Sequence, residues 1–219
     1  MKVAGIDEAG RGPVIGPLVM AAVMIEEKDT LKLENIGLKD SKLLSPLQRK
    51  RFYELVTKLD YIRYEIAICN EKEIDKALLS PNLNLNSFEA MHTAILLGKL
   101  KPDKAILDLP SNNRDKYEMD VRKFLIEDIK KIKLISEHKA DTNYAIVAAA
   151  SILAKVTRDK IIEEIKQKIG IDFGSGYPSD PKTIEFTKKY YNKYDIFRKT
   201  WQSYKNIIQT KKQKVLGEY

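Results

Sequence analysis

The sequence predicts an α/β protein, a mixed five-stranded sheet flanked by helices and followed by a small C-terminal helical extension. Three observations predict it. Short apolar runs of strand length alternate with helix-length segments, the pattern of elements that share one sheet. The first two runs are separated only by a Gly/Pro loop, so they pair as a hairpin, whereas the later runs are separated by helices and lie parallel. After Gly170 the composition turns basic and aromatic, which marks the extension. The expected boundaries are a main domain over residues 1–172 and an extension over 173–219.

Val3-Ala-Gly-Ile-Asp7 and Leu18-Val-Met-Ala-Ala-Val-Met-Ile25 read as buried strands. Ser45-Pro-Leu-Gln-Arg-Lys begins a helix, with serine as N-cap and proline in the first position. Tyr61 to Cys69 reads as a third strand, and helices follow from Glu71 and from about Ser87 to Leu100. Ala105-Ile-Leu-Asp108 and Ile132-Lys-Leu-Ile-Ser136 are short strands, and Ala145 to Ile169 is one long helix. Its first half contains Ala148-Ala-Ala-Ser-Ile-Leu-Ala154, small residues that let a helix approach a sheet closely. Gly174-Ser-Gly-Tyr-Pro-Ser-Asp-Pro181 is a loop, and Thr183 to Gln209 reads as helices.

Lys and Arg outnumber Asp and Glu by 39 to 31, a net +8, which points to a polyanionic partner or, equally on composition alone, to a lysine-rich surface. The charge is uneven. Residues 173–219 carry ten Lys or Arg against four Asp or Glu, a net +6, with ten of the eighteen aromatics. Basic residues interleaved with Tyr190, Tyr191, Tyr194, Phe197, Trp201 and Tyr204 suit a phosphate backbone, while many of these rings are expected to form the extension's own core. The single Cys69, within an apolar run, indicates a reducing interior, so a cytoplasmic location is expected. The residues after Met1 form no apolar segment of signal-peptide length, and Leu18 to Ile25 is too short to span a bilayer, so no membrane association is expected.

Chemistry is suggested by where the acids fall. Asp7 ends the first strand with Glu8 beside it, Asp108 ends the fourth, and Asp141 lies between the fifth strand and the long helix. Strand ends of α/β sheets are where ligands and catalysis gather, and carboxylates that converge there repel one another unless divalent cations neutralise them. Taken singly, Asp108 could be a turn residue and Asp141 a helix cap. Adjacent acids at Asp7-Glu8 are harder to dismiss, because inside an otherwise apolar stretch they are costly without partners. The next residues, Ala9-Gly-Arg-Gly-Pro13, let backbone N–H groups approach a sugar or phosphate. Neither a P-loop nor a dinucleotide fingerprint fits, because Arg11-Gly12 replaces Lys-Ser/Thr and Pro13 and Pro17 oppose a following helix.

These residues resemble a family. Gly5-Ile-Asp-Glu-Ala-Gly-Arg-Gly-Pro13, Lys39-Asp-Ser-Lys42, Lys139-Ala-Asp141 and Ala149-Ala-Ser-Ile-Leu-Ala-Lys-Val-Thr-Arg-Asp159 are similar to type 2 ribonuclease H, and Gly174-Ser-Gly-Tyr-Pro-Ser-Asp-Pro181 resembles its archaeal branch. The likeness runs in the family's order from residue 3 to about 181. It implies a ribonuclease H-like α/β fold, with 1–172 as the catalytic domain. It also implies two Mg2+ or Mn2+ ions held by Asp7, Glu8, Asp108 and Asp141, and endonucleolytic cleavage of RNA/DNA hybrids and of duplex DNA containing ribonucleotides. In this likeness Asp108 is followed by Leu109-Pro110, where the family often has Gly-Asn. The Gly10-Arg11-Gly12 backbone and Tyr177 would contact the ribose 2'-hydroxyl, which distinguishes RNA from DNA. Lys39, Lys42 and Lys155 would contact phosphates, and the enzyme would act as a monomer. His92 and His138 are not required as bases. Gln213, Leu216 and Tyr219, three positions apart in turn, resemble a peptide that docks on the DNA sliding clamp. Two rivals are a non-catalytic nucleic-acid binder of the same fold and a resolvase acting on branched DNA.

Overall fold

The computed structural model describes residues 1–38 and 44–216, with side chains through Thr210. Within it the chain divides into two compact units. The first comprises Met1–Ala9, Val19–Ile68 and Asn84–Thr157, and the second Gly10–Leu18, Cys69–Leu83 and Arg158–Tyr219.

The first unit holds a five-stranded sheet: β1 (Lys2–Ala9), β2 (Leu18–Glu26), β3 (Arg63–Cys69), β4 (Lys104–Asp108) and β5 (Lys133–Glu137), in the order β3-β2-β1-β4-β5. β1 and β2 are antiparallel, with Asp7 opposite Ala21, whereas β1–β4 and β4–β5 are parallel. The expected mixed sheet is therefore present. β2 is buried at eight successive positions, which is why it reads as a continuous apolar run rather than an alternating one.

Helices of this unit begin where local chemistry dictates. Helix α1 (Thr30–Asn35) is a short turn after β2. Helix α2 (Pro46–Lys58) starts with a capping box, Ser45 accepting from the Gln48 N–H while the Gln48 side chain accepts from the Ser45 N–H, and has proline in its first turn. Between the two sheet halves the chain passes through α3 (Glu71–Leu79), which belongs to the second unit, and returns as α4 (Leu85–Leu100). Asn84 caps α4, which starts at Leu85, two residues ahead of the start expected from the sequence. Helix α5 (Arg114–Phe124) follows β4 and is linked to α4 by the buried Thr93–Tyr117 hydroxyl pair at 3.1 Å and by Ser87 donating to Asp120 at 2.9 Å. After β5 come the four-residue α6 (Ala140–Asn143) and the long α7 (Ala145–Ile169), whose bounds match the expected helix.

Small residues set how closely α7 meets the sheet. Ala148, Ala149, Ala150, Ser151 and Ala154 are fully buried. At Gly5 of β1 an added Cβ would lie 2.6 Å from the backbone of Ile146 and Val147, so only glycine permits this crossing. The contact fixes the first turn of α7 against β1 and brings the next turns of the helix beside Asp7.

The second unit is built on aromatic packing. Helices α8 (Pro181–Tyr190) and α9 (Gln202–Leu216) enclose a core of Val14, Ile15, Ile162, Phe173, Phe186 and Phe197, with Tyr190, Tyr194, Trp201 and Tyr204 packed around it. Phe186 is central, with ring centroids 5.4 Å from Phe173 and 4.9 Å from Tyr190. The expectation that many C-terminal aromatics form a small core holds. Among the described residues no helix is long and apolar enough to cross a membrane.

Candidate active site

Asp7 and Asp108 stand on neighbouring parallel strands. The register pairs Ile6 with Leu107, so the next residue on each strand brings the two carboxyls to the same sheet end. Asp7 is 4% exposed. Its Oδ1 accepts the Glu8 backbone N–H at 2.7 Å. Burial pushes the Asp7 carboxyl up to about 6, and the neighbouring Asp108 charge pushes in the same direction. Against these act a hydrogen bond from Ser151, the positive charge of Lys155 and the Glu8 N–H.

Asp141 reaches the same region by a tight turn. Lys139 adopts a left-handed conformation, φ 59°, a rare state for a residue with a side chain, between β5 and α6. The turn directs the Ala140 N–H onto Asp108 Oδ1 at 2.8 Å. The Tyr144 hydroxyl donates to Glu137 at 2.9 Å and ties the far end of α6 to β5. Asp141, 2% exposed, is thereby held in the interior with Lys155 Nζ 4.0 Å from its carboxylate.

Lys155 also donates to the Ser151 hydroxyl at 2.6 Å, one turn back along α7. Ser151 in turn hydrogen-bonds Asp7. A continuous line Asp141, Lys155, Ser151, Asp7 thus joins two buried acids of this unit. Glu8 is half-buried and meets the group through its backbone N–H. Among the described residues no three His, Cys, Asp or Glu side chains are gathered closely enough to hold one ion. The donors are nevertheless hard carboxylate oxygens, and a buried carboxyl raised toward 6 beside a second acid is stabilised by a cation, so the set fits Mg2+ or Mn2+.

In the second unit, Gly10 has φ +84°, and an added Cβ there would run into the Arg158 side chain and the Pro17 carbonyl. At Gly12 a Cβ would sit in ordinary contact, 3.5 Å, with the Tyr177 ring. Tyr177 is 39% exposed, with the Arg158 guanidinium 5.3 Å from its ring centre. The structure thus brings Gly12 and Tyr177 together within one unit. Lys39 and Lys42 lie outside the described residues. The backbone of α9 continues to Leu216, but the side chains of Gln213 and Leu216, and all of Tyr219, also lie outside them.

Three residues acquire roles that sequence reasoning did not assign. Ser151 and Arg158 lie inside the Ala149–Asp159 motif, and the four-residue spacing of Ser151 and Lys155 signals a shared helix face. Arg198 carried no signal, because its partners are more than 180 residues distant in the chain.

Acids at the ends of adjacent strands in this mixed sheet define a ribonuclease H-like α/β protein, and comparison with known proteins agrees. A family model described as Ribonuclease HII matches residues 4–204. The chain is 44% identical to ribonuclease HII of Pyrococcus furiosus over 222 residues, covering 98% of this chain and 94% of that protein. Among solved structures, ribonuclease H2 of Pyrococcus horikoshii OT3 superposes with a TM-score of 0.84 at 42% identity, covering 97% of this chain and all of that one. Ribonuclease HII in its complex with PCNA from Archaeoglobus fulgidus gives 0.82 at 36% identity, covering 94% and 96%. The chain belongs to the ribonuclease HII family, ribonucleases H that cleave RNA in RNA/DNA hybrids.

Proposed function

We propose that this ribonuclease H is a divalent-metal-dependent endonuclease that also cuts on the 5' side of ribonucleotides embedded in duplex DNA, leaving 3'-hydroxyl and 5'-phosphate ends. Asp7, Glu8, Asp108 and Asp141 are the residues that would hold two Mg2+ or Mn2+ ions. The observation that carries the reading is the Asp7–Asp108 pair on adjacent parallel strands, with the Asp7 carboxyl raised to about 6. When bound, the ions supply an activated water and neutralise charge at the leaving oxygen. Ser151 and the Glu8 N–H hold the Asp7 carboxylate in orientation, and Lys155 supplies fixed positive charge for a phosphate.

Discrimination falls to the second unit. Gly10, Arg11 and Gly12 contact the ribose 2'-hydroxyl through their backbone, and Tyr177 stacks on the sugar of the following nucleotide, accepting an RNA-to-DNA junction. Lys39 and Lys42 add phosphate contacts. Residues 1–172 serve as the catalytic domain of a cytoplasmic monomer, and 173–219 serve as its basic extension. Primer removal and ribonucleotide excision are the cellular roles this chemistry suits. Gln213, Leu216 and Tyr219 dock on the DNA sliding clamp, a reading supported by the Archaeoglobus fulgidus relative in complex with PCNA.

The test incubates the protein with Mn2+ and duplexes containing one ribonucleotide, four ribonucleotides or none, and a branched DNA. Cleavage of the first two only, with the stated ends, is expected. Binding without cleavage would favour the non-catalytic reading, and cutting of the branched DNA would favour the resolvase.

A further inference from the structure

Arg198 lies between α8 and α9 and has no solvent exposure. Its donors all turn to one loop. Nε donates to the Gly16 carbonyl at 2.9 Å, and the terminal nitrogens donate to the carbonyls of Gly10 at 2.6 Å and Arg11 at 3.1 Å. Its own backbone N–H donates to the Val14 carbonyl at 2.9 Å, and its guanidinium lies 4.7 Å from the Trp201 ring centre. A guanidinium is a rigid planar fork, so three carbonyls bound to it are fixed relative to one plane.

This arrangement is costly. Burial pushes the Arg198 guanidinium down to about 10, and the neighbouring Arg158 charge adds to that, with Glu71 offsetting part. Packing alone would be served as well by an apolar side chain of similar volume. What an apolar residue could not do is fix the peptide planes of residues 10 to 12.

In a trans peptide the carbonyl and the following N–H point in opposite directions, and the described backbone has no cis peptide. With the carbonyls of Gly10 and Arg11 turned inward to Arg198, the N–H groups of Arg11 and Gly12 face away from it. The remaining edges of the loop are tied down independently. Val14 donates to the Gly176 carbonyl at 2.8 Å and Gly16 to the Ile196 carbonyl at 3.2 Å. Arg158 donates to the Ser175 carbonyl at 3.3 Å, next to Tyr177.

We propose that Arg198 is a positioning residue for ribose recognition: by holding the Gly10 and Arg11 carbonyls it fixes the peptide planes of the loop and presents the Gly12 N–H as a fixed donor to the substrate. The inference rests on the reading of Gly10-Arg11-Gly12 as the loop that contacts the 2'-hydroxyl. Arg198 itself touches no substrate. Lysine at this position keeps the charge but donates from a single point, so it cannot span carbonyls from residue 10 to residue 16.

The test uses the full chain carrying Arg198→Lys, Arg198→Met or Gly12→Pro, the last removing one N–H directly. For each, KM is measured on a duplex with one ribonucleotide, and Ki for the same duplex without it as competitor. A purely structural role lowers the active fraction and kcat but leaves the ratio Ki/KM unchanged. The expected result is at least a tenfold fall in Ki/KM for Arg198→Lys and Arg198→Met, with melting temperatures showing folded protein. If Gly12→Pro lowers the ratio and neither folded Arg198 variant does, the positioning role is overturned and the loop reading stands. If Gly12→Pro also leaves the ratio unchanged, the loop reading itself fails.

Discussion

Replacing Asp7 by asparagine should stabilise the metal-free protein while abolishing cleavage. The carboxyl rises from its ordinary 3.8 to about 6 on folding, chiefly through burial. At about 1.4 kcal/mol per pH unit, ionising it in the folded state costs about 3 kcal/mol at neutral pH. Asparagine resembles the neutral acid, and its amide must find its own partners, so about 3 kcal/mol is the ceiling. For a chain of this size each kcal/mol moves the melting temperature by about 2–4 °C, which sets a ceiling of roughly 6–12 °C. The sign follows from the linkage. A carboxyl raised in the folded state contributes its stability below the unfolded value, and loses it as pH climbs through about 6. The advantage of Asp7→Asn is therefore largest above about pH 7 and fades toward pH 4. The assay is thermal denaturation of both proteins in chelator across that range. An Asp7→Asn protein that melts at or below wild type at neutral pH, or whose margin does not shrink on acidification, would refute the electrostatic reasoning.

Other consequences can be checked as directly. Tyr177→Ala should impair cleavage at a single embedded ribonucleotide by roughly tenfold, about 1.4 kcal/mol of barrier, and impair cleavage within a long hybrid less; equal losses would count against junction reading. Ser151→Ala removes a hydrogen bond that favours the ionised Asp7 carboxyl, so the acid limb of the Mn2+-induced melting shift should move to higher pH, and an unmoved limb would exclude the contact. Deleting residues 211–219 should leave cleavage of short free duplexes almost unchanged yet abolish clamp binding by calorimetry, and equal clamp affinity would rule the tail out as the docking element.

Which features the sequence revealed follows from the range of the interactions that made them. The Ser45 and Asn84 caps, the long α7 and the apolar β2 are set by residues within a few positions of one another, and all were legible or nearly so. Asp7, Asp108 and Asp141 were legible as strand-end acids because period and punctuation locate strand ends. The joining of Asp7 to Asp141 through Ser151 and Lys155 was not, since it depends on the Gly5 crossing, a distance no pattern encodes. The composition change after Gly170 marked the aromatic core but not its full membership. Val14 and Ile15 enter that core from more than 140 residues earlier, and Asp75 accepts from the backbone of Lys199 and Thr200.

Each unit keeps a buried or half-buried pair of like charges, and the two pairs are relieved in different ways. The Arg158 charge disfavours that of Arg198, but Arg198 directs its donors to the carbonyls of Gly10, Arg11 and Gly16 within the protein. Its compensation is internal, which is the property of a device that sets geometry. Asp7 and Asp108 receive donors from the backbone of Glu8 and Ala140 and from Ser151, with the charge of Lys155 acting on Asp7. Those donors leave Asp7 raised to about 6, so a neutral-pH protein holds it at a free-energy cost. A cost that the fold does not offset locally is one that an external cation can offset on binding, which supports the proposal that the strand-end acids hold metal.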